Sequence, residues 1–130
     1  MNAYIAPGLS TLARRKFIYS KIGTSQEYAD VMVKVILNSV SSCTGIHEYQ
    51  MKSSSRKREY TIARQIAMTL IRQQTKLSLK SVGKIFGGRD HSTVIYAKET
   101  FNDLMETDSK YSNLVASIER KITEIKIDLK

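Results

Sequence analysis

From Tyr28 onward, apolar residues recur three and four positions apart and hardly ever alternate, which predicts helices and no sheet. Thr24-Ser25-Gln26-Glu27 has the spacing of a capping box, so a helix is expected to begin there. Tyr28, Val31, Met32, Val35, Ile36 and Val40 form its buried stripe, and Gly45 is placed to stop it. Ile46 to Met51 is too short for periodicity to decide. Lys52-Ser53-Ser54-Ser55 reads as a loop leading into Arg56-Lys57-Arg58. From about Tyr60 a second long helix turns Ile62, Ala63, Ile66, Ala67, Leu70 and Ile71 inward, leaves Arg64, Gln65 and Arg72 outward, and ends near Gln74-Thr75. Ser78 then caps a short helix with Leu79, Val82 and Ile85 inside. Gly83 permits a close neighbour there, and Gly87-Gly88 ends the helix by tolerating positive φ. A further helix from about Asp90 buries Val94, Ala97, Phe101, Leu104 and Met105, up to a break near Thr107-Asp108-Ser109. A last amphipathic helix carries Tyr111, Leu114, Val115, Ile118, Ile122 and Ile125. Its stripe reads as a packing face, because a heptad register over so few turns is a poor dimer seam. The expected fold is all-α, a helical bundle containing a helix-turn-helix.

At 130 residues the chain has room for one domain with a sizeable core and not for a second, catalytic one. Residues 24–130 are expected to form that domain. Residues 1–23 carry Arg14, Arg15, Lys16 and Lys21, no acids, and an early break at Pro7-Gly8, so they are expected to be a basic N-terminal arm. The single cysteine, Cys43, cannot close an internal disulfide and is read as a small core hydrophobe in a reducing compartment. No apolar run approaches the roughly 20 residues that cross a bilayer, and Met1 to Ile22 lacks the apolar stretch of a secretion signal. The expected location is the cytoplasm, at the nucleoid, with no membrane partner.

Charge sharpens this picture through its distribution. The chain has a formal net charge of +9, and Lys52 to Lys76 holds seven bases (Lys52, Arg56, Lys57, Arg58, Arg64, Arg72, Lys76) against Glu59 alone. A solvated surface without a partner intersperses both signs; a concentrated patch points to a polyanion.

The chemistry gathers at Gly87-Gly88-Arg89-Asp90-His91-Ser92-Thr93-Val94. A glycine turn followed by a polar helix start is the part of a helix-turn-helix that enters the DNA major groove. Arg pairs with guanine, Asp accepts from the cytosine amino group, and Thr or His carbons touch the thymine methyl. Asp90, Ser92 and Thr93 also suit a helix cap and nothing more. The arginines upstream tip the balance, since they supply phosphate contacts and a loop able to thread a narrow minor groove. Enzyme chemistry finds little here. Asp90 and His91 are adjacent and point about 100° apart on a helix, and His47 has no ligand-spaced companion. Neither a catalytic site, a metal nor a cofactor is expected.

With these residues read, Gly45 to Ile122 resembles the C-terminal DNA-binding domain of the bacterial replication initiator DnaA. Arg56-Lys57-Arg58-Glu59 with Ala63-Arg64-Gln65-Ile66-Ala67-Met68, Leu77-Ser78-Leu79, and Phe86-Gly87-Gly88-Arg89-Asp90-His91-Ser92-Thr93-Val94-Ile95-Tyr96-Ala97 carry the likeness. The resemblance implies that Asp90, His91, Ser92 and Thr93 read major-groove bases and that Arg56, with Arg58, enters the minor groove. It implies that Arg64, Arg72, Leu79 and Lys80, with Arg89, lie against the phosphate backbone. The family often has His where Tyr96 stands and Pro where Lys80 stands. A full initiator adds an ATPase with a Gly-x-x-x-x-Gly-Lys-Ser/Thr loop, whereas here Gly83-Lys84 is followed by Ile85. The expectation is a stand-alone binder of double-stranded DNA at a DnaA-box-like site, a monomer on DNA, acting in replication or its regulation without ATPase activity. The alternative is an interaction module or decoy that engages an initiator or another replication protein.

Overall fold

The computed structural model of the protein describes residues 25–128, and these form six helices. They are α1 (Ser25–Thr44), α2 (Glu48–Lys52), α3 (Arg58–Gln74), α4 (Leu79–Ile85), α5 (His91–Thr107) and α6 (Ser109–Asp128). No strand occurs among the described residues, so the all-α expectation is met. The expected basic arm over residues 1–23 and the Thr24 cap lie outside the described residues.

α3 is the central element. From Ala63 to Ile71 every residue except Gln65 is buried, so the helix is covered on more than the one face its apolar spacing predicts. α5 packs most extensively across it, and α1 lies against both α3 and α6. Met32, Ile36, Val40, Ile66, Leu70, Val82, Phe86, Val94, Phe101, Val115 and Ile118 belong to one buried cluster. Full burial of each large aliphatic or aromatic side chain there contributes about 1.5–3 kcal/mol relative to exposure. The α1 stripe is wider than predicted: Ala29 and Leu37 join it, while Val31 is only partly buried. Cys43 is also only partly buried, packed against the core edge. Lys126 is buried on α6 and donates to Gln74 Oε1 at 2.9 Å, fastening α6 to the end of α3.

Local chemistry sets most of the boundaries. Gly45 has φ +76 and its N–H donates to the Ser41 carbonyl, which closes α1 as its position predicts. α3 begins at Arg58, two residues ahead of the expected start, because the Thr61 N–H already reaches the Lys57 carbonyl at 2.9 Å. Within the undecided segment Ile46–Met51 the chain turns helical from Glu48, with His47 as the N-cap of α2, through contacts at both ends. The His47 N–H donates to Gln50 Oε1 at 2.8 Å, Gln50 Nε2 donates to the Tyr60 hydroxyl at 2.9 Å, and Met51 is fully buried.

α4, its turn and α5 form the helix-turn-helix. Ser78 caps α4, its hydroxyl accepting from the Ser81 N–H at 3.1 Å. The Gly83 carbonyl accepts from the N–H groups of Phe86, Gly88 and Arg89 at 3.2, 3.1 and 2.9 Å, and Gly87 and Gly88 take φ +84 and +78. A Cβ on Gly83 would sit 2.1 Å from the Arg89 carbonyl oxygen, so the close neighbour that this glycine permits is the backbone of the turn itself. Among the described residues no helix is long and apolar enough to cross a membrane.

Tyr111 joins α6 to α5, its ring meeting Phe101 edge-on with centroids 6.0 Å apart. Its hydroxyl is buried without a hydrogen-bond partner, and burial pushes its pKa from 10.0 up to about 12. Between those values the unfolded chain gives up a proton that the folded chain keeps, so the contribution of Tyr111 to stability is constant below pH 10 and falls as pH rises toward 12. Tyr111→Phe is expected to gain about 1 kcal/mol at pH 7 by removing a buried unpaired hydroxyl, and to flatten that alkaline decline relative to the parent. Urea unfolding at neutral pH and across the alkaline range measures both.

Candidate nucleic-acid interface

α5 starts at His91, with Asp90 at the N-cap in extended backbone, φ −66 and ψ 151. Asp90, His91, Ser92 and Thr93 are all exposed, while Val94 and Ala97 behind them are buried. The helix is thus anchored by its apolar face and presents its polar start to solvent. Asp90 closes no regular capping hydrogen bond, yet the Ser92 backbone N–H, above all, holds its carboxyl below the ordinary aspartate range, helped by the Ser92 hydroxyl and His91. An ionised carboxylate is acceptor-only, the property needed to receive a base amino group. His91 Nδ1 lies 2.9 Å from Asp90 Oδ1. Helical spacing had set these two side chains apart. Asp90 is outside the helix, so that spacing does not govern the pair.

Beside this tip, Ser78, Leu79, Lys80, Arg89, Asp90 and His91 line one cleft of about 540 Å³. Lys80 is exposed and Leu79 partly buried, so the first turn of α4 and the first residues of α5 share a concave surface. Arg72 is exposed on α3, where Nη1 donates to the Leu77 carbonyl at 2.5 Å and braces the connection into α4.

The basic loop is the second component. Arg56, Lys57 and Arg58 are exposed, and Lys57 Nζ stands 5.5 Å from the centre of the Tyr60 ring. Arg64 corrects the sequence expectation. Far from facing outward to a phosphate, it is 5 % exposed. Its Nε donates to the Met51 carbonyl at 2.6 Å, and its Nη2 reaches the carbonyls of Ser53, Ser55 and Gln50 at 3.1, 3.1 and 3.4 Å. The physical reason is that the end of α2 and the chain between α2 and α3 fold over this face of α3 and supply carbonyl dipoles that a planar, multi-donor guanidinium satisfies together. Burial, with the nearby positive charge of Arg89, lowers the Arg64 pKa. Arg89 is also partly buried and turned toward backbone, donating to the carbonyls of Phe86 and of Ser53, the latter at 2.8 Å.

Tyr96 was noted only as a departure from a family pattern, and the structure gives it more weight. It is 61 % exposed and follows Ser92 and Thr93 by four and three residues, which puts it one turn along the same α5 face. That spacing was the available signal. Ile95 next to it is 43 % exposed and borders a groove with Arg72, Leu79 and Lys98. His47 stacks on Tyr49 with ring centroids 5.6 Å apart, and no group of three His, Cys, Asp or Glu among the described residues is arranged to hold a metal ion.

Residues 33–100 match the family model described as bacterial dnaA protein helix-turn-helix. That span contains the basic loop, α3, α4, the turn and the first ten residues of α5. Among curated proteins, the chain is 44% identical over 96 residues to the chromosomal replication initiator protein DnaA of a Picosynechococcus species and 38% identical over 96 residues to that of Gloeothece citriformis. It is 36% identical over 88 residues to that of Thermus thermophilus. These alignments cover 74%, 74% and 68% of this chain and 21%, 21% and 20% of the relatives, so the chain spans about a fifth of their length.

Proposed function

The chain belongs to the bacterial DnaA helix-turn-helix family, and on that premise we propose that it binds double-stranded DNA sequence-specifically, at a site similar to the DnaA box, in replication initiation or its regulation. The observation that carries this reading is the cleft in which Lys80, Arg89, Asp90 and His91 meet, with the exposed arginines of the loop on the same framework. Asp90, His91, Ser92 and Thr93 read base edges in the major groove, with Tyr96 extending that surface by one turn. Arg56 and Arg58 enter the minor groove, where a narrow A·T tract concentrates negative potential. Arg72, Leu79 and Lys80 lie along the backbone and fix register. Residues 24–130 act as the binding module, as a monomer on DNA and without hydrolysing nucleotide. The basic residues of 1–23 add to the attraction for DNA.

Selection of duplexes from a random pool, followed by titration at about 0.15 M salt against a scrambled duplex, tests the proposal. A preference for the selected duplex is the expected result, and equal affinity for both overturns specificity. Alanine at Asp90, His91 or Thr93 is expected to cost about 1–3 kcal/mol on the selected site and less on the scrambled one. Arg72→Ala weakens both duplexes alike and lowers the slope of log affinity against log salt by about 0.9.

A further inference from the structure

One carbonyl in this fold receives two guanidinium groups. The Ser53 oxygen accepts from Arg64 Nη2 at 3.1 Å and from Arg89 Nη2 at 2.8 Å. Arg64 comes from the middle of α3 and Arg89 from the turn immediately before α5, while Ser53 opens the basic loop. Each arginine is tied down on its own side as well, Arg64 on Met51, Gln50 and Ser55 and Arg89 on Phe86. Loop and turn also approach closely next to this point. A Cβ on Gly87 would lie 2.6 Å from the Lys52 carbonyl oxygen and 3.5 Å from Arg89 Nη1. Two cations on one acceptor repel, so the arrangement needs the surrounding carbonyls to hold both in place. Arg56 stands three residues beyond Ser53, within about 10–11 Å of extended chain.

We infer that Arg89 is a positioning residue: by sharing the Ser53 carbonyl with Arg64 it locks the basic loop to the start of α5, so that Arg56 meets the minor groove in register with Asp90 to Thr93 in the major groove. This rests on the DNA-binding reading above. Arg89 then acts through Arg56 and touches no phosphate. A lysine at this position keeps the charge but cannot span the Phe86 and Ser53 carbonyls with one planar fork.

The test uses the duplex recovered by selection and the same duplex with every adenine replaced by 2,6-diaminopurine. The replacement adds an amino group in the minor groove and leaves the major-groove edge of each pair unchanged. The parent protein is expected to bind the substituted duplex about 10-fold more weakly. Arg89→Lys is expected to lose about 10-fold on the unmodified duplex and then to bind both forms within about 2-fold, as Arg56→Ala does, with helix content and melting followed by circular dichroism. Arg89→Met is expected to give the same pattern with the salt slope of Arg56→Ala. Either Arg89 variant keeping the parent's discrimination between the two forms overturns the inference, as does a slope in Arg89→Met lower by about 0.9 than that of Arg56→Ala, which marks a phosphate contact of Arg89 itself. A parent that prefers the selected duplex yet binds both forms alike overturns this inference and spares major-groove reading. A parent with no preference over a scrambled duplex removes the reading beneath both.

Discussion

Gly83→Ala is expected to destabilise the domain by about 3 kcal/mol or more and to abolish preference for any selected duplex. The new Cβ would lie 2.1 Å from the Arg89 carbonyl oxygen and 3.1 Å from its carbon. Both are backbone atoms, with no flexible side chain to swing aside. Relief requires the turn to move away from α4, and the movement breaks the bonds that the Gly83 carbonyl accepts from Phe86, Gly88 and Arg89. Phe86 is fully buried beside the turn, so displacement also opens the core. Denaturant midpoints measure the stability loss. Because α5 is oriented by this turn, base discrimination is expected to disappear even under conditions where most molecules remain folded. Gly88→Ala is the comparison: its Cβ would meet nothing within 4 Å, and its cost is confined to the strain of φ +78. A Gly83→Ala protein with parental midpoint and parental discrimination would remove the close-packed turn from this account.

Arg64→Ala is the second large effect, expected at about 3 kcal/mol of stability with weakened binding to every duplex. Its guanidinium serves four carbonyls on Gln50, Met51, Ser53 and Ser55. Hydrogen bonds from a charged donor contribute about 1.5–3 kcal/mol each, and leaving several partly buried acceptors without a donor costs less than their sum because the loop relaxes toward water. Arg64→Lys is expected to recover only part of this, since an ammonium is a compact charge with no planar fork. The outcome separates two roles for one residue. A phosphate-contacting arginine on the surface would change the salt slope and leave the unfolding midpoint unmoved; a buried loop organiser moves the midpoint first. A parental midpoint in Arg64→Ala would restore the surface role that the sequence had suggested.

The burial of Arg64 is set by residues distant from it along the chain. On the α3 pattern it falls between inward positions, and three residues of context made it one more exposed base of the Lys52–Lys76 cluster. The carbonyls that draw it in belong to residues nine to fourteen positions earlier. Arg89 likewise has its partner at Ser53, thirty-six residues back, and no local rule predicts that pairing. The His91 contact with Asp90 was missed for a smaller reason, a helical spacing applied to a residue that stands just before the helix.

Periodicity and turn chemistry, by contrast, needed no neighbour. Five apolar-patterned stretches and several of their stops were legible from residues at most four apart: Gly45 and Gly87-Gly88 at positive φ, Ser78 as a cap, Val94, Ala97 and Phe101 as the inner face behind an exposed polar tip. These are properties of backbone sterics and of the 3.6-residue repeat, and both are carried by the chain itself. The sequence alone therefore determined five of the six helices, most of their ends and the polar start of α5, while α2 waited for its contacts with α3. Only the tertiary structure decided which arginines face solvent and which hold the loop, because the exposure of a long cation is settled by whichever carbonyls the fold brings within reach of it.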